Sequence, residues 1–271
     1  HGGYWYDEWH TFFYSNPNFL SLENFDKLVN NAIAPPLYFI IVSFFHKLFG
    51  YSPEIGRAFS MFFDLLSLFT LYLLVKKNFE KKINFFILLF FLINYSIILY
   101  SIELRFYSFY IFVTIVNVYF FFNYLNQKKK INLFKYFFFS LFALSSNYFL
   151  LPIIAVQFLY LFLKNRLFFY FILFFAISFV GLNFPHLSIV NDINSQKWWG
   201  IINLNFFIGY YFNIFFGNKI LGGLILLCIV SIFIIKFKKI KSNEKLLLLI
   251  LFIIFTYLFL IFYSLIFTPV L

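Results

Sequence analysis

Long apolar runs separated by short lysine-rich stretches set the pattern of this chain. Apolar segments cover residues 54–75, 83–100, 106–125, 131–163, 167–184, 219–235 and 246–266. A helix needs roughly 20 apolar residues to cross about 30 Å of hydrocarbon, and most of these runs reach or approach that length. Residues 131–163 read as two short spans joined at Ser145-Ser146-Asn147. The period-two alternation of a transmembrane β-barrel is absent. The pattern predicts an all-α fold, a polytopic helical membrane protein.

Two shorter pieces precede the first span. Residues 21–31 read as a small amphipathic helix: Ser21 suits an N-cap, Asn24 stands at N3, and Leu22, Phe25, Leu28 and Val29 share a face. Residues 36–50 are apolar but short. Pro35 and Pro36 suit a helix start, and His46 and Lys47 are expected to reach the headgroups. This segment is predicted to lie flat in the interface or to dip partway in.

Composition agrees with the pattern. Hydrophobic residues make up 63% of the 271 and charged residues 11%, with a mean hydropathy of +0.89. A soluble core has no use for that much continuous apolar surface. The excess of Phe, Ile, Asn and Lys also resembles base-composition bias, so the many phenylalanines need no individual roles. Cys228 is alone in an apolar run, which excludes a disulfide framework and a cysteine metal site.

The net charge of +11 would suit nucleic acid, but its placement argues for topology instead. Fifteen of the 21 Lys and Arg fall in four clusters between apolar runs, at 76–82, 128–135, 164–166 and 236–245. With these clusters on the cytoplasmic side, every span alternates consistently, as the positive-inside rule requires. No nucleic-acid partner is expected. The chain then divides into a first extracytoplasmic loop with interfacial helices (1–53), a transmembrane core (54–184), a second large outer loop (185–205) and C-terminal transmembrane helices (206–271).

That topology gathers the polar residues on the outer face. Asp7 and Glu8 sit among aromatics in Tyr4-Trp5-Tyr6-Asp7-Glu8-Trp9-His10. Carboxylates at a membrane edge are costly and mark a candidate site; the plainer reading is a solvated loop pair. Glu103, Arg105 and Tyr107 occupy a tight turn, where the two charges serve either a site or a structural ion pair. Asn147 and Tyr148 hold the third outer turn, and His186, Asp192, Lys197, Trp198 and Trp199 fall in the second large loop. Trp198-Trp199 also suit an interfacial aromatic belt. Arg57 and Asp64, seven residues apart on one face, read as structural, with Arg57 able to snorkel. His10 with Asp7 is a weak pattern for a divalent metal.

In order along the chain these residues form a set: Asp7-Glu8-x-x-Thr11, Pro35-Pro36-Leu37-Tyr38, Leu48-Phe49-Gly50-x-Ser52-x-Glu54-x-x-Arg57, and Tyr100-Ser101-x-Glu103-x-Arg105-x-Tyr107. Asn147-Tyr148, Pro185 and Trp198-Trp199 continue it. The set resembles bacterial glycosyltransferases of the GT-C fold, in the branch related to protein O-mannosyltransferases and the lipid A aminoarabinose transferase. The resemblance covers nearly the whole chain. Two positions depart: relatives often carry His where Ala34 and Asn147 stand. A first transmembrane helix before the acidic loop is expected from the family, so the chain reads as a fragment.

The resemblance implies transfer of a sugar from a polyprenyl-phosphate donor to an acceptor glycan, lipid or protein, at the extracytoplasmic face of the plasma or inner membrane. It implies catalytic roles for Asp7, as general base, and for Glu8, in support of Asp7 or the acceptor. Donor phosphate and sugar contacts would come from Glu103, Arg105, Tyr107, Asn147, Lys197 and Trp198. Arg105 suits the phosphate because a guanidinium offers forked donors and stays charged. Inversion is expected, and membrane lipid is the surrounding partner. No cofactor is expected, with a divalent metal left open. The alternative is a transporter or flippase, which places ionisable groups near the bilayer midplane.

Overall fold

A computed structural model describes residues 6–21, 35–193 and 243–266, with isolated positions between 218 and 231. Among these residues the fold is all-α, with no strand. Ten helices are described: α1 (Tyr6–Tyr14), α2 (Pro36–Phe49), α3 (Pro53–Asn78), α4 (Lys81–Ile93), α5 (Tyr95–Ser101), α6 (Tyr107–Gln127), α7 (Lys130–Ser146), α8 (Leu151–Lys164), α9 (Phe168–Ile193) and α10 (Glu244–Ile266). Short 3-10 turns at Pro17–Leu20 and Tyr148–Leu150 complete them.

Local chemistry accounts for the boundaries. Ser52 caps α3 by accepting from the Ile55 amide at 3.4 Å, with Pro53 at the first position and Glu54 in the first turn. Lys76 and Lys77 occupy its last turn, where the helix dipole favours cations. α2 starts at Pro36 and stops at Gly50, whose φ of +110° is open to a residue without a Cβ. Between α4 and α5, Asn94 Oδ1 accepts from the amides of Ser96 and Ile97 at 3.0 and 3.3 Å. The pair bends there by 54°.

α3 and α6 are long and apolar enough to cross a membrane, and the bent α4–α5 pair makes a third if it counts as one span. These helices follow the apolar runs closely. One boundary differs: α9 runs through Pro185 to Ile193, where the sequence suggested that an outer loop begins. A proline removes one amide donor from the ladder, which a long apolar helix can absorb without ending. Ser21 is described, with its hydroxyl donating to the Asn18 carbonyl at 2.8 Å; the rest of the amphipathic segment at 21–31, most of the run at 219–235 and the remainder of the second outer loop lie outside the described residues.

α6 is the central helix, packed most extensively on α3 and α7. Its Phe109, Val113, Phe121 and Phe122 join Phe59 of α3, Tyr136 and Leu144 of α7 and Ile154 of α8 in one buried cluster. The outside is apolar as well: Leu65, Phe69, Leu163, Phe174 and Leu182 all stand largely exposed.

A polar network threads this core. Asn117 Nδ2 donates to Ser140 Oγ, Gln157 Nε2 donates to Asn117 Oδ1, and Tyr136 Oη donates to Gln157 Oε1, each at 2.8 Å. Ser140 Oγ in turn donates to the Tyr136 carbonyl. All four side chains are completely buried, and the bonds tie α6, α7 and α8 together. Truncating Gln157 leaves Tyr136 Oη and Asn117 Oδ1 without these partners. Gln157→Ala is expected to cost about 1–3 kcal/mol, read as a lowered unfolding midpoint of the purified chain in detergent. A variant as stable as the wild type would show that the network contributes little.

Candidate functional site

Glu8 is the centre of the junction between α1, α3 and the turn that precedes α6. It sits in the first turn of α1 with no exposed surface. Arg57, in the second turn of α3, meets it as a fork: Nε donates to Oε1 at 3.1 Å and an Nη donates to Oε2 at 2.9 Å. The Leu104 amide also donates to Oε1, at 2.9 Å. Three segments distant in sequence thus converge on one carboxylate. Such a fork is among the stronger hydrogen-bonding arrangements in proteins.

Close packing makes the third bond reachable. Leu104 is fully buried against α3 at Gly56, where an added Cβ would come within 2.6 Å of Leu104 Cδ2. The glycine lets the turn approach the helix. Leu104 lies between Glu103 and Arg105 in the turn that links α5 to α6. The Arg105 amide donates to the Glu103 carbonyl at 2.9 Å. The Arg105 guanidinium lies 4.8 Å from the centre of the Tyr107 ring, within cation–π range. Tyr107 in turn packs on Tyr100 with ring centres 4.1 Å apart.

Tyr38 of α2 borders this turn, its ring against Phe59, Phe106 and Phe109. It is fully buried, and among the described residues nothing bonds its hydroxyl. Burial pushes its pKa up, and the positive charge of Arg105 pulls part of the way back.

The α1 end rests on α2 and the loop after it. His46 Nδ1 lies 3.0 Å from the Ser15 carbonyl, so a protonated Nδ1 donates to it. Tyr51 Oη donates to the Phe12 carbonyl at 2.9 Å, and the Phe12 and Tyr51 rings stack at 4.2 Å. The sequence suggested that His46 reaches the headgroups. It is instead 1% exposed, because it shares the buried α2 face with Tyr38, Phe39, Val42 and Ser43. Lys47, the next residue, is exposed.

The remaining candidates fall in several places. Asp7 precedes Glu8 in α1; its side chain lies outside the described residues. His10 packs on the rings of Tyr14 and Phe39, with centres 4.5 and 6.3 Å away. Asn147 belongs to a different junction, between α7 and α8, where its Oδ1 accepts from the Phe149 amide at 2.9 Å. His186 and Asp192 fall in the last turns of α9, with side chains outside the description, and Lys197, Trp198 and Trp199 lie outside it altogether. Among the described residues, no three His, Cys, Asp or Glu side chains group as a metal site.

The structure therefore joins Glu8 to the Glu103–Tyr107 turn and adds Arg57, Gly56 and Tyr38. The snorkelling reading of Arg57 gives way to an ion pair. The signal for it was present: a guanidinium just inside an apolar helix needs an acid, and the chain holds only ten. No protein-family model, curated protein or solved structure matches the chain.

Two outcomes test this junction. Arg57→Leu strands a buried carboxylate and is expected to cost about 3 kcal/mol, the low end for a broken buried pair because Arg57 is 34% exposed. Glu8→Gln with Arg57→Leu should cost less than the two single changes together, as a double-mutant cycle of unfolding midpoints would show. Acid provides the second test. Burial lowers the His46 pKa below its ordinary 6.5, with the Ser15 and Ser52 backbone acting the other way. Below that value the unfolded chain binds the proton more readily than the folded one. Stability is thus complete above about pH 6.5 and lost as the pH falls towards the folded pKa. Melting curves between pH 7.5 and 5 should show the decline, and His46→Gln should flatten it.

Proposed function

We propose that this chain is a polytopic membrane protein of the GT-C kind, a transferase that moves a sugar from a polyprenyl-phosphate carrier to an acceptor on the extracytoplasmic side. Membrane residence is supported by the apolar exterior of α3, α8 and α9 and by the lengths of α3 and α6. Soluble monomers rarely expose contiguous apolar surface on this scale.

One observation carries the transferase reading. The Glu8 carboxylate holds the Leu104 amide at 2.9 Å, so the residue before Glu8, Asp7, and the residue after Leu104, Arg105, flank a single contact. In this reading Asp7 takes the proton from the acceptor hydroxyl, whose oxygen attacks the anomeric carbon. The bond from that carbon to the phosphate oxygen breaks, and polyprenyl phosphate leaves with its electron pair. Arg105 neutralises the departing phosphate. A single in-line displacement inverts the anomeric centre. In this reading Glu8, with both oxygens engaged, is a positioning residue that ties the segments carrying the base and the cation to one another. Tyr107 backs the guanidinium, and in this reading Lys197 and Trp198 supply further donor contacts, whereas Asn147 caps a separate turn.

Asp64 supports a second reading, transport. It lies seven residues beyond Arg57 on α3, about 10 Å deeper along the axis. One of its oxygens is buried, and among the described residues nothing bonds it. Intramembrane carboxylates are a mark of ion or substrate pathways.

Membranes carrying the protein separate the two. A panel of radiolabelled polyprenyl-phosphate sugars is offered to wild type, Asp7→Asn, Arg105→Ala and Asp64→Asn. The transferase reading expects wild type and Asp64→Asn to consume one donor, with turnover at least about 100-fold lower in Asp7→Asn, the scale of a lost general base. If no donor is consumed, or if Asp7→Asn matches wild type, the transferase reading fails and transport takes its place.

A further inference from the structure

The far end of α3 carries a second charged junction, unlike the first in every respect. Arg57 and Lys77 are 20 residues apart, about 30 Å along the helix. At this end the last turns of α3 and α6 meet the first turn of α10. Lys77 Nζ donates to Oδ1 of Asn123, a buried residue of α6. Lys245 Nζ donates to Asn78 Oδ1 at 2.8 Å and to Asn126 Oδ1 at 2.6 Å. Asn126 Nδ2 also donates to Asn78 Oδ1, at 3.2 Å, and Asn78 Nδ2 to the Leu74 carbonyl at 2.7 Å.

Two ammonium groups are therefore held on neutral amide oxygens. The acid nearest in sequence, Glu244, pairs with Lys164 at 2.9 Å. Burial lowers the Lys245 pKa, and the charge of Lys77 lowers it further, against a smaller opposing effect of Glu244. Lys245 also stands in the first turn of α10, where the helix dipole disfavours a cation. The C-terminal ends of α3 and α6, whose Asn78 and Asn126 it bonds, favour a cation instead, and among the described residues no carboxylate is shown pairing with it.

The surroundings indicate depth. Lys76 Nζ lies 5.3 Å from the Tyr72 ring centre and Lys164 Nζ 5.5 Å from that of Tyr160. Tyrosines beside lysines are characteristic of the headgroup zone. Tyr72, Leu163 and Leu247, close in sequence to Lys76, Lys164 and Lys245, are exposed, as side chains that meet acyl chains would be.

We propose that this α3–α6–α10 junction binds the headgroup of an anionic phospholipid, its phosphodiester drawn between Lys77 and Lys245. The phosphate oxygens accept hydrogen bonds that the ammonium groups now give to the amides, and their charge relieves the repulsion between the two lysines. The inference rests on the membrane reading above, but not on sugar transfer. A basic pocket between membrane helices is a recognised setting for such headgroups.

The test is the unfolding midpoint of the full chain in detergent micelles, with phosphatidylglycerol, phosphatidylcholine or inorganic phosphate added. Phosphatidylglycerol at saturation is expected to raise the midpoint by about 3 °C or more, and the other two additions to leave it unchanged. Lys77→Gln with Lys245→Gln should abolish the shift, and Lys135→Gln, a change at an exposed lysine of α7, should keep it. If the double variant does not fold, Lys77→Gln alone should at least halve the shift. The proposal is overturned if phosphatidylcholine matches phosphatidylglycerol, if inorganic phosphate gives the full effect, or if the lysine variants keep it. No outcome depends on donor turnover, so failure of the transferase reading leaves this test intact.

Discussion

A carboxylate removed from water stays charged only where the protein supplies the donors that water supplied. Glu8 meets that condition with two guanidinium contacts and one backbone amide. The requirement then fixes the neighbours. Arg57 has to lie near the start of α3, which the Ser52 cap and Pro53 set. Leu104 has to approach closely enough for its amide to reach, which the missing side chain at Gly56 permits. The first turn of α1 has to face both, and the His46–Ser15 and Tyr51–Phe12 contacts hold the end of α1 and the turn after it on α2. One buried charge thus sets the mutual positions of four segments.

The rest of the bundle follows a different rule. In the membrane setting proposed above, helices gain little from hiding apolar surface, because the acyl chains are as apolar as leucine. Packing and internal polar bonds have to select the neighbours. The Asn117–Ser140–Gln157–Tyr136 network does this for α6, α7 and α8. It is closed on itself, with each amide engaged, so a shifted register would strand several groups at once. Edge-to-face contacts such as Phe63 on Phe109 and Phe158 on Phe175 fill the space between helices.

Much of the fold was legible in the sequence because apolar run length and helix length are the same physical quantity in this class. α3, α6 and α2 start and stop close to where the runs, prolines and Gly50 indicate. The α9 boundary differs because the apolar run ends at 184 while the helix continues through Pro185 to Ile193, a proline that a long helix absorbs. At the site, scarcity of acid drew attention to Asp7-Glu8 and to the 103–107 turn. That Arg57 needs an acid was legible, but which acid was not, since Glu8 is 49 residues away and no local spacing encodes that contact. Asn147 read as a counterpart of a histidine, but its described bond is that of an ordinary cap. The core network left no trace either, because isolated Asn, Gln, Ser and Tyr in apolar runs look like tolerated exceptions until the helices are assembled.

α3 also acts as a ruler across the molecule. Near one end Arg57 is pinned by Glu8, and at the other Lys77 is held by Asn123. Sliding or rotating this helix would break a charged contact at both ends, so its register is doubly determined. Within that frame Asp64 stands about a third of the way between them. Lysine and arginine can carry their charge to the interface on long stems, but an aspartate cannot. Its environment is therefore decided by the bundle around α3. Glu8 shows what a resolved solution for a buried acid looks like in this chain, with every oxygen met by a donor. Asp64, with one buried oxygen that no described group bonds, leaves that condition open, and it is the contrast between the two acids that gives the transport reading its remaining weight.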